Sequence, residues 1–495
     1  LRIDERFAEA EILWREVLMA AEMAQKVGTG NATTVADTKV QLAITLADQD
    51  KLDEAVSLRR EALQTFEKSF GDLHERSIEA ASQLAALLKD RGDLHEAHHQ
   101  YMIAVKGYEL TLGEMSRQAL TCKFSMGTVL KRLGRLRLAE PVFRSCAVGF
   151  RSILGGQHAQ TIAALSLLAS TLHQLGRFAE AEPHLRRILT GREMVLGKSH
   201  VATLTVCNNL ASLLEDREKF EEAEKLRRRV LDGITASRDD FDREVMMARS
   251  NFAICLVKQQ KWRIAEEPSK TAYEHLKAQF GVSDPATMNS SANYVIVLRK
   301  LKKYETAEQL TREVLKIETE QKGLSHTDTL YMMNTLGDLM RDQRRTADAV
   351  GLYRRAMDGF LAISQGSLED GRALLAAQNL AQVLTAQGTQ KEMREASQLH
   401  TKVLAASKAI FGEKHARTAH ALKSHAYHMR ANRRYKEATT LLRESQMVFF
   451  AAQGANSISR LGVLYTLAKL EIKLGRLVSA TANLRIALGG YKSTL

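Results

Sequence analysis

Two groups of histidines are the first residues in this chain whose types and spacing suggest chemistry. His95, His98 and His99, and again His420, His425 and His428, stand close enough along a helix to present ring nitrogens to one metal ion. Neither group has the cysteine or carboxylate partners that complete such a centre, so both are read as surface clusters and no metal is assigned. Cys122, Cys146, Cys207 and Cys255 lie too far apart for a redox Cys-x-x-Cys or a zinc knuckle, and they make no disulfide framework. The sequence has no phosphate-cradling P-loop, dinucleotide fingerprint, nucleophile elbow or His-Glu-x-x-His. The expectation is a protein that is not an enzyme, with no catalytic residue and no cofactor.

Basic side chains are the second candidate. Arg60, Arg144, Arg186, Arg228, Lys270, Arg312, Arg354, Arg443 and Arg485 recur with a fixed period, and the net charge of +13 has the sign of a nucleic-acid binder. Yet Glu140, Glu182, Glu224, Glu266 and Glu308 precede five of these bases by four residues, the favourable order for a helical ion pair worth about 0.2–0.5 kcal/mol. A stripe neutralised in this way, without the stacking aromatics that hold single strands, leaves nucleic acid as the weakest partner reading.

Those spacings are positioned by a repeat. Ala10, Ala55, Ala97, Ala139, Ala181, Ala223, Ala265, Ala307, Ala349, Ala396, Ala438 and Ala480 mark its register, with 42 residues in nine of the eleven intervals and 45 or 47 in the others. Thirteen residues before most markers stands a large apolar residue followed by a small one, as in Leu84-Ala85, Met126-Gly127 and Leu336-Gly337. A leucine four residues on completes an apolar stripe at helical period, which defines a helix A. Large residues such as Phe178, Trp262 and Tyr304 stand three before the marker and open a helix B, which continues to a recurrent glycine suited to a C-cap. His or Asp and then Thr or Ser follow that glycine at three-residue steps, as in His158-Thr161, and read as the next helix start.

With only four prolines and 29 glycines, the chain is read as all-α, a superhelical solenoid of helix pairs, since no single pair can bury its stripe alone. The expected boundaries are a partial repeat at 1–29 holding helix B only, then repeats at 30–71, 72–113, 114–155, 156–197, 198–239, 240–281, 282–323, 324–366, 367–412 with an insertion, 413–454 and 455–495. Pro141 and Pro183 are expected near the first turn of helix B, as helix-start prolines. The turn pattern departs near Arg345-Thr346 and from Thr389 to Glu395, the least secure joints. No run is long and apolar enough to cross a membrane and no signal peptide is evident, so a cytoplasmic protein in a reducing compartment is expected.

Asn208-Asn209-Leu210-Ala211, Gly176-Arg177-Phe178-Ala179-Glu180-Ala181-Glu182-Pro183 and Leu196-Gly197-Lys198-Ser199-His200-Val201-Ala202-Thr203 resemble the 42-residue tetratricopeptide repeats of kinesin light chains and of arrays attached to signalling NTPases. HEAT and armadillo arrays have similar periods but fit the large-small pair of helix A less well. Positions fifteen, eleven and eight before the marker share one face of helix A, turned away from the buried stripe. The resemblance implies that this face lines a concave groove holding extended peptides, in kinesin light chains those with acidic residues around a tryptophan. The residues so assigned are Lys89, Lys131, Arg132, His173, Asn208, Ser212, Lys258, Arg299, Lys300, Asn334, Arg341 and Arg430, and the partners so implied are proteins or peptides with acidic segments.

Two functions share that fold: an interaction scaffold or cargo adaptor, and the regulatory arm of a larger signalling NTPase or other enzyme. Uncapped terminal helices suggest further domains of the same polypeptide. An upstream coiled coil would favour the adaptor and an upstream Walker motif the sensor arm.

Overall fold

The computed structural model describes residues 2–368 and 370–494, with side chains for 7–368 and 370–492. Leu1 and Leu495, at the outer limits of the first and last expected repeats, lie outside the described residues. Among the described residues there are twenty-three α-helices and no strand. The first, α1, spans Arg2–Lys26 and is followed by eleven A–B pairs: α2 (Ala32–Asp48) with α3 (Leu52–Phe70), α4 (Glu75–Arg91) with α5 (Leu94–Leu112), α6 (Arg117–Arg132) with α7 (Leu136–Leu154), α8 (Ala159–Gln174) with α9 (Phe178–Leu196), α10 (Val201–Asp216) with α11 (Phe220–Thr235), α12 (Arg243–Lys258) with α13 (Trp262–Phe280), α14 (Pro285–Lys300) with α15 (Tyr304–Lys322), α16 (Thr327–Asp342) with α17 (Thr346–Ile363), α18 (Gly371–Gln387) with α19 (Gln390–Phe411), α20 (Ala416–Ala431) with α21 (Tyr435–Gln453), and α22 (Ile458–Lys473) with α23 (Leu477–Thr494).

Local chemistry fixes each joint. The A–B turn needs one residue in the left-handed region, supplied by Gly92, Gly134, Gly176, Gly388 and Gly475 in five repeats and by Asp50, Glu218, Gln260, Lys302, Arg344 and Arg433 in six. Arg344 therefore makes the same turn as its sister repeats, and the joint near Arg345-Thr346 keeps the standard geometry. The joint after Thr389 differs: the insertion adds a turn to the start of α19, closed by a capping box between Thr389 and Glu392. Between repeats, the Gly-x-x-His-x-x-Thr loops are helix caps. His158, His200, His326 and His415 accept through Nδ1 from the backbone N–H two residues on, at 2.9–3.2 Å. Thr161, Thr203, Thr329 and Thr418 each bond back to the loop glycine's carbonyl at 2.7–2.9 Å.

Pro141 and Pro183 lie near the first turn but past the helix start. Each is the sixth residue of its helix, in the second turn, where the ring removes one N–H without ending the helix.

The marker alanines explain the period. Those from Ala55 to Ala438 are fully buried, because helix A lies directly against them. The small residue of helix A serves the same closeness: a Cβ added to Gly127 would stand 2.8 Å from the Phe143 ring, and one on Gly337 the same distance from Tyr353.

The chain divides into two compact units, Leu1–Leu172 and His173–Leu495. In the first, one core runs from Ala36 through Phe66, Leu84 and Tyr101 to Val129, and α4 touches α6. In the second, the largest core runs from Tyr273 through Val314, Leu336 and Tyr353 to Leu384. There α12, α14, α16, α18 and α20 touch in succession, so the A helices form the inner face and each B helix packs behind them. Among the described residues, no helix is long and apolar enough to cross a membrane.

Candidate functional site

The inner face of the second unit carries two adjoining hollows. The larger, of about 680 Å³, lies among α16, α18 and α20 and is lined by Tyr331, Asn334, Gln378, Arg417 and His420, with Phe360 and Phe411 behind. The smaller, of about 410 Å³, shares Gln378 and His420 and continues past Gln382, Lys423, Ser424 and Tyr427. Their common floor belongs to the inner face of the A helices, on which spacing counted from the marker places Asn334, Lys423 and Tyr427 but not Gln378 or Gln382. Its polar groups are linked from helix to helix: Asn293 donates to Ser250 at 2.8 Å, Asn379 to Asn334 at 3.2 Å, and Gln378 and Gln382 both to Ser424, at 3.4 and 3.1 Å.

The stripe is held from behind. The residue four after the marker in helix B faces helix A; at Ser269 and Thr311 it bonds its own helix backbone, but in three other repeats it reaches a groove side chain. Arg227 reaches Asn208, Ser212 and Glu215, Tyr353 donates to Asp338 at 2.5 Å, and Thr385 lies 3.3 Å from the His400 ring. Sequence reasoning missed this position. Its signal was a site alternating between core residues such as Tyr101 and Phe143 and polar ones such as Arg59, Arg227 and His400.

The residues expected to line the groove fall into groups. In the first unit, Lys131 donates to Ser170 at 2.7 Å and burial pulls its ammonium below the usual range, while Arg132 donates to the Lys89 carbonyl and Lys89 lies 3.4 Å from Asp90. In the second unit, His173 meets Asp216 at 2.7 Å and Lys258 meets the buried Glu215 at 2.8 Å. Arg299 bridges Asp338 and Asp342 at 3.0 and 2.8 Å, and Arg341 joins Asp338 at 3.1 Å. Asn208 and Ser212 accept from Arg227, and Asn334 is buried against Asn379. Lys300 and Arg430 have no carboxylate partner among the described residues.

Beyond α18 the charge pattern changes. Lys423 and Arg430 flank the Tyr427 ring at 5.8 and 4.9 Å, and Lys469 lies 4.4 Å over the exposed Tyr465 ring. None of these cations meets a carboxylate among the described residues. Beneath them His400, His425 and His428 pack ring to ring at 5.1–6.5 Å. His428 is wholly enclosed and His425 half-buried, against the expectation of a surface cluster, because an A helix presents these positions to its neighbours, whereas His420 is exposed as expected. Burial first, then neighbouring imidazoles, pushes His400 down to about 3 and His428 to about 4. Both are neutral near pH 7.

The other places for chemistry are already in use. All four cysteines are buried thiols, with burial pushing Cys122 and Cys255 up to about 11. Glu318, His326 and Asp328 approach one another, but Lys322 lies 2.9 Å from both carboxylates and His326 Nδ1 caps α16. Of the periodic bases, Arg144, Arg186, Arg228 and Arg312 pair with the glutamate four residues before, as expected. Lys270 instead lies 3.7 Å from Glu274, and Glu266 joins Lys303 of the next turn.

Family profiles described as Tetratricopeptide repeat match residues 34–109, 119–194 and 284–362, and a second such profile residues 203–235. The chain is thus a member of the tetratricopeptide-repeat family, whose repeats generally mediate protein–protein interactions and whose scaffold is typically non-catalytic. No curated protein matches it. Similar solved structures include a Rap protein complexed with Competence and Sporulation Factor (12% identity, 76% of this chain and 98% of that one, TM-score 0.48). BtubC from P. vanneervenii is similar over 47% of this chain and 92% of its own, at 19% identity and TM-score 0.40. The nearly identical TPR-like repeats of a Podosopora anserina protein designated a kinesin light chain are similar over 43% of this chain and 98% of their own, at 19% identity and TM-score 0.37.

Proposed function

We propose that the inner face of the second unit holds an extended, acidic segment of a partner protein, and that the grip is centred on α18, α20 and α22. The observation that carries this reading is the contrast along one stripe. From the end of α8 to α16, His173, Lys258, Arg299 and Arg341 already meet carboxylates and only Lys300 among the assigned bases does not, whereas Lys423, Arg430 and Lys469 all lack one among the described residues. An unpaired ammonium beside a tyrosine face, next to hollows of about 680 and 410 Å³, offers charge-assisted bonds to Asp or Glu in a partly desolvated place. Gln378 and Gln382 bond Ser424 through their amide nitrogens, which leaves their oxygens to accept from a peptide backbone. Lys300 and Asn334 extend the same track, and Lys89, Lys131 and Arg132 supply a separate basic stretch in the first unit. Asn208, Ser212, Arg299 and Arg341 brace the groove wall.

Selection from a displayed peptide library tests this, with Lys423→Glu/Lys469→Glu as the counter-target. Enriched sequences should be rich in Asp and Glu and lose at least tenfold in affinity for the double variant, about 1.4 kcal/mol. Enrichment without acidic bias, or affinity unchanged by the reversal, would discard the reading.

A further inference from the structure

Within the second unit the chain returns to itself. Gln453 Nε2, at the end of α21, donates at 3.0 Å to the carbonyl of Asp216, 237 positions earlier. The Glu218 carboxylate, in the α10–α11 turn, accepts from the Ile458 N–H and from both the N–H and the hydroxyl of Ser459, the latter at 2.6 Å. It thereby places a negative charge on the first turn of α22, where the helix dipole is positive. Nearby, His415 packs into the α8–α9 turn: its ring centroid lies 6.2 Å from that of Phe178, and it bonds the Gln174 backbone.

Two residue choices fit these contacts. Glu218 holds the left-handed turn position at φ 59°, which glycine occupies in five sister repeats, so the turn itself favours no carboxylate there. Gly176 holds the same position opposite His415, and a Cβ there would stand 2.3 Å from the imidazole Cδ2. The first turn gains a side chain where it meets α22, and the second loses one where it meets α20.

We propose that these contacts form a clasp that closes the six helix pairs from α10–α11 to α20–α21 into a ring, and that a partner segment gains the inner face when the clasp opens. The second half of this statement rests on the groove reading above. Neighbouring repeats are joined by continuous apolar cores, whereas the clasp is a few polar contacts and one ring contact, so it is the joint at which the ring yields first.

The test uses the full chain. Glu218→Cys/Ser459→Cys, treated with a short bis-maleimide, should yield an intramolecular crosslink, and the four native thiols are all buried. A control pair, Glu218→Cys/Lys316→Cys, should yield little. Glu218→Lys sets a cation against the positive end of α22 and should increase the radius of gyration in small-angle scattering. Gln453→Ala should do so more weakly. Equal crosslinking of both pairs, or scattering unchanged in both variants, would overturn the ring. If the clasp gates entry, acidic peptides should associate at least tenfold more slowly with the crosslinked chain than with the uncrosslinked one. Equal rates overturn the gating. If neither form binds acidic peptide, the groove reading fails, and crosslinking and scattering alone decide the ring.

Discussion

A single missing methyl group sets how closely two helices approach here. At Gly337 the Tyr353 ring occupies the space a Cβ would take, and Tyr353 is fixed by its hydroxyl on Asp338. Gly337→Ala should therefore cost about 1–3 kcal/mol, read as a lower midpoint in urea with an unchanged slope. The buried imidazoles make a second residue-scale prediction. His400 and His428 bind protons less readily folded than unfolded, so between pH 6.5 and about 4 the unfolded chain holds more protons and stability falls as pH falls. From pH 7 to pH 5 the loss should be roughly 1–2 kcal/mol per imidazole, and His428→Gln should flatten the dependence of the thermal midpoint on pH. A pH-independent midpoint would contradict it. Spacing alone could not foresee this enclosure. It places His420, His425 and His428 on one helix but is silent on which of them the neighbouring helices cover.

The helix pair was legible in the sequence because its determinants are local and repeated. The buried alanine, the large-small pair and the capped loop recur in each copy, so chance similarity averages out. What escaped were features where the count slips or where a contact crosses repeats. The 47-residue interval before Ala396 moves α18 out of step with the marker, so counting back from Ala396 misses Gln378 and Gln382. Aligning on Leu380-Ala381 instead places both on the groove stripe. Arg344 illustrates the converse: the turn survives without its glycine because the flanking helices impose the conformation. That imposition has a cost, since a side chain in the left-handed region is disfavoured by about 1 kcal/mol. The exposed Lys302, at φ 60°, should consequently gain about 0.5–1 kcal/mol on substitution by glycine, less the added freedom of the unfolded chain. Chemical denaturation of Lys302→Gly checks this, and destabilisation would mean that the lysine side chain contributes more than the turn loses.

Over the whole chain, 71 basic and 58 acidic groups give a net +13, but the arrangement matters more than the total. Most periodic bases meet a carboxylate on their own or the next helix, so the charges join repeats as well as dress the surface. Bases on the inner face serve one of two ends, and the same substitution separates them. Arg299 is largely enclosed and holds Asp338 and Asp342 of the following A helix. Reversal there places three carboxylates together and should cost about 3–5 kcal/mol, the usual penalty for breaking a buried pair. Peptide affinity of the fraction that stays folded should be unchanged. Lys423 is half-buried beside the Tyr427 face with no carboxylate partner among the described residues, so Lys423→Glu should shift stability by about 1 kcal/mol or less, well below the cost at Arg299. The same change should weaken acidic-peptide binding roughly tenfold and flatten its salt dependence, because one screened attraction becomes a repulsion. Denaturation midpoints and binding isotherms at two salt concentrations, taken on both variants, separate the two roles. Loss of binding in folded Arg299→Glu with none in Lys423→Glu would move the grip from α18–α22 to the stretch between α14 and α16.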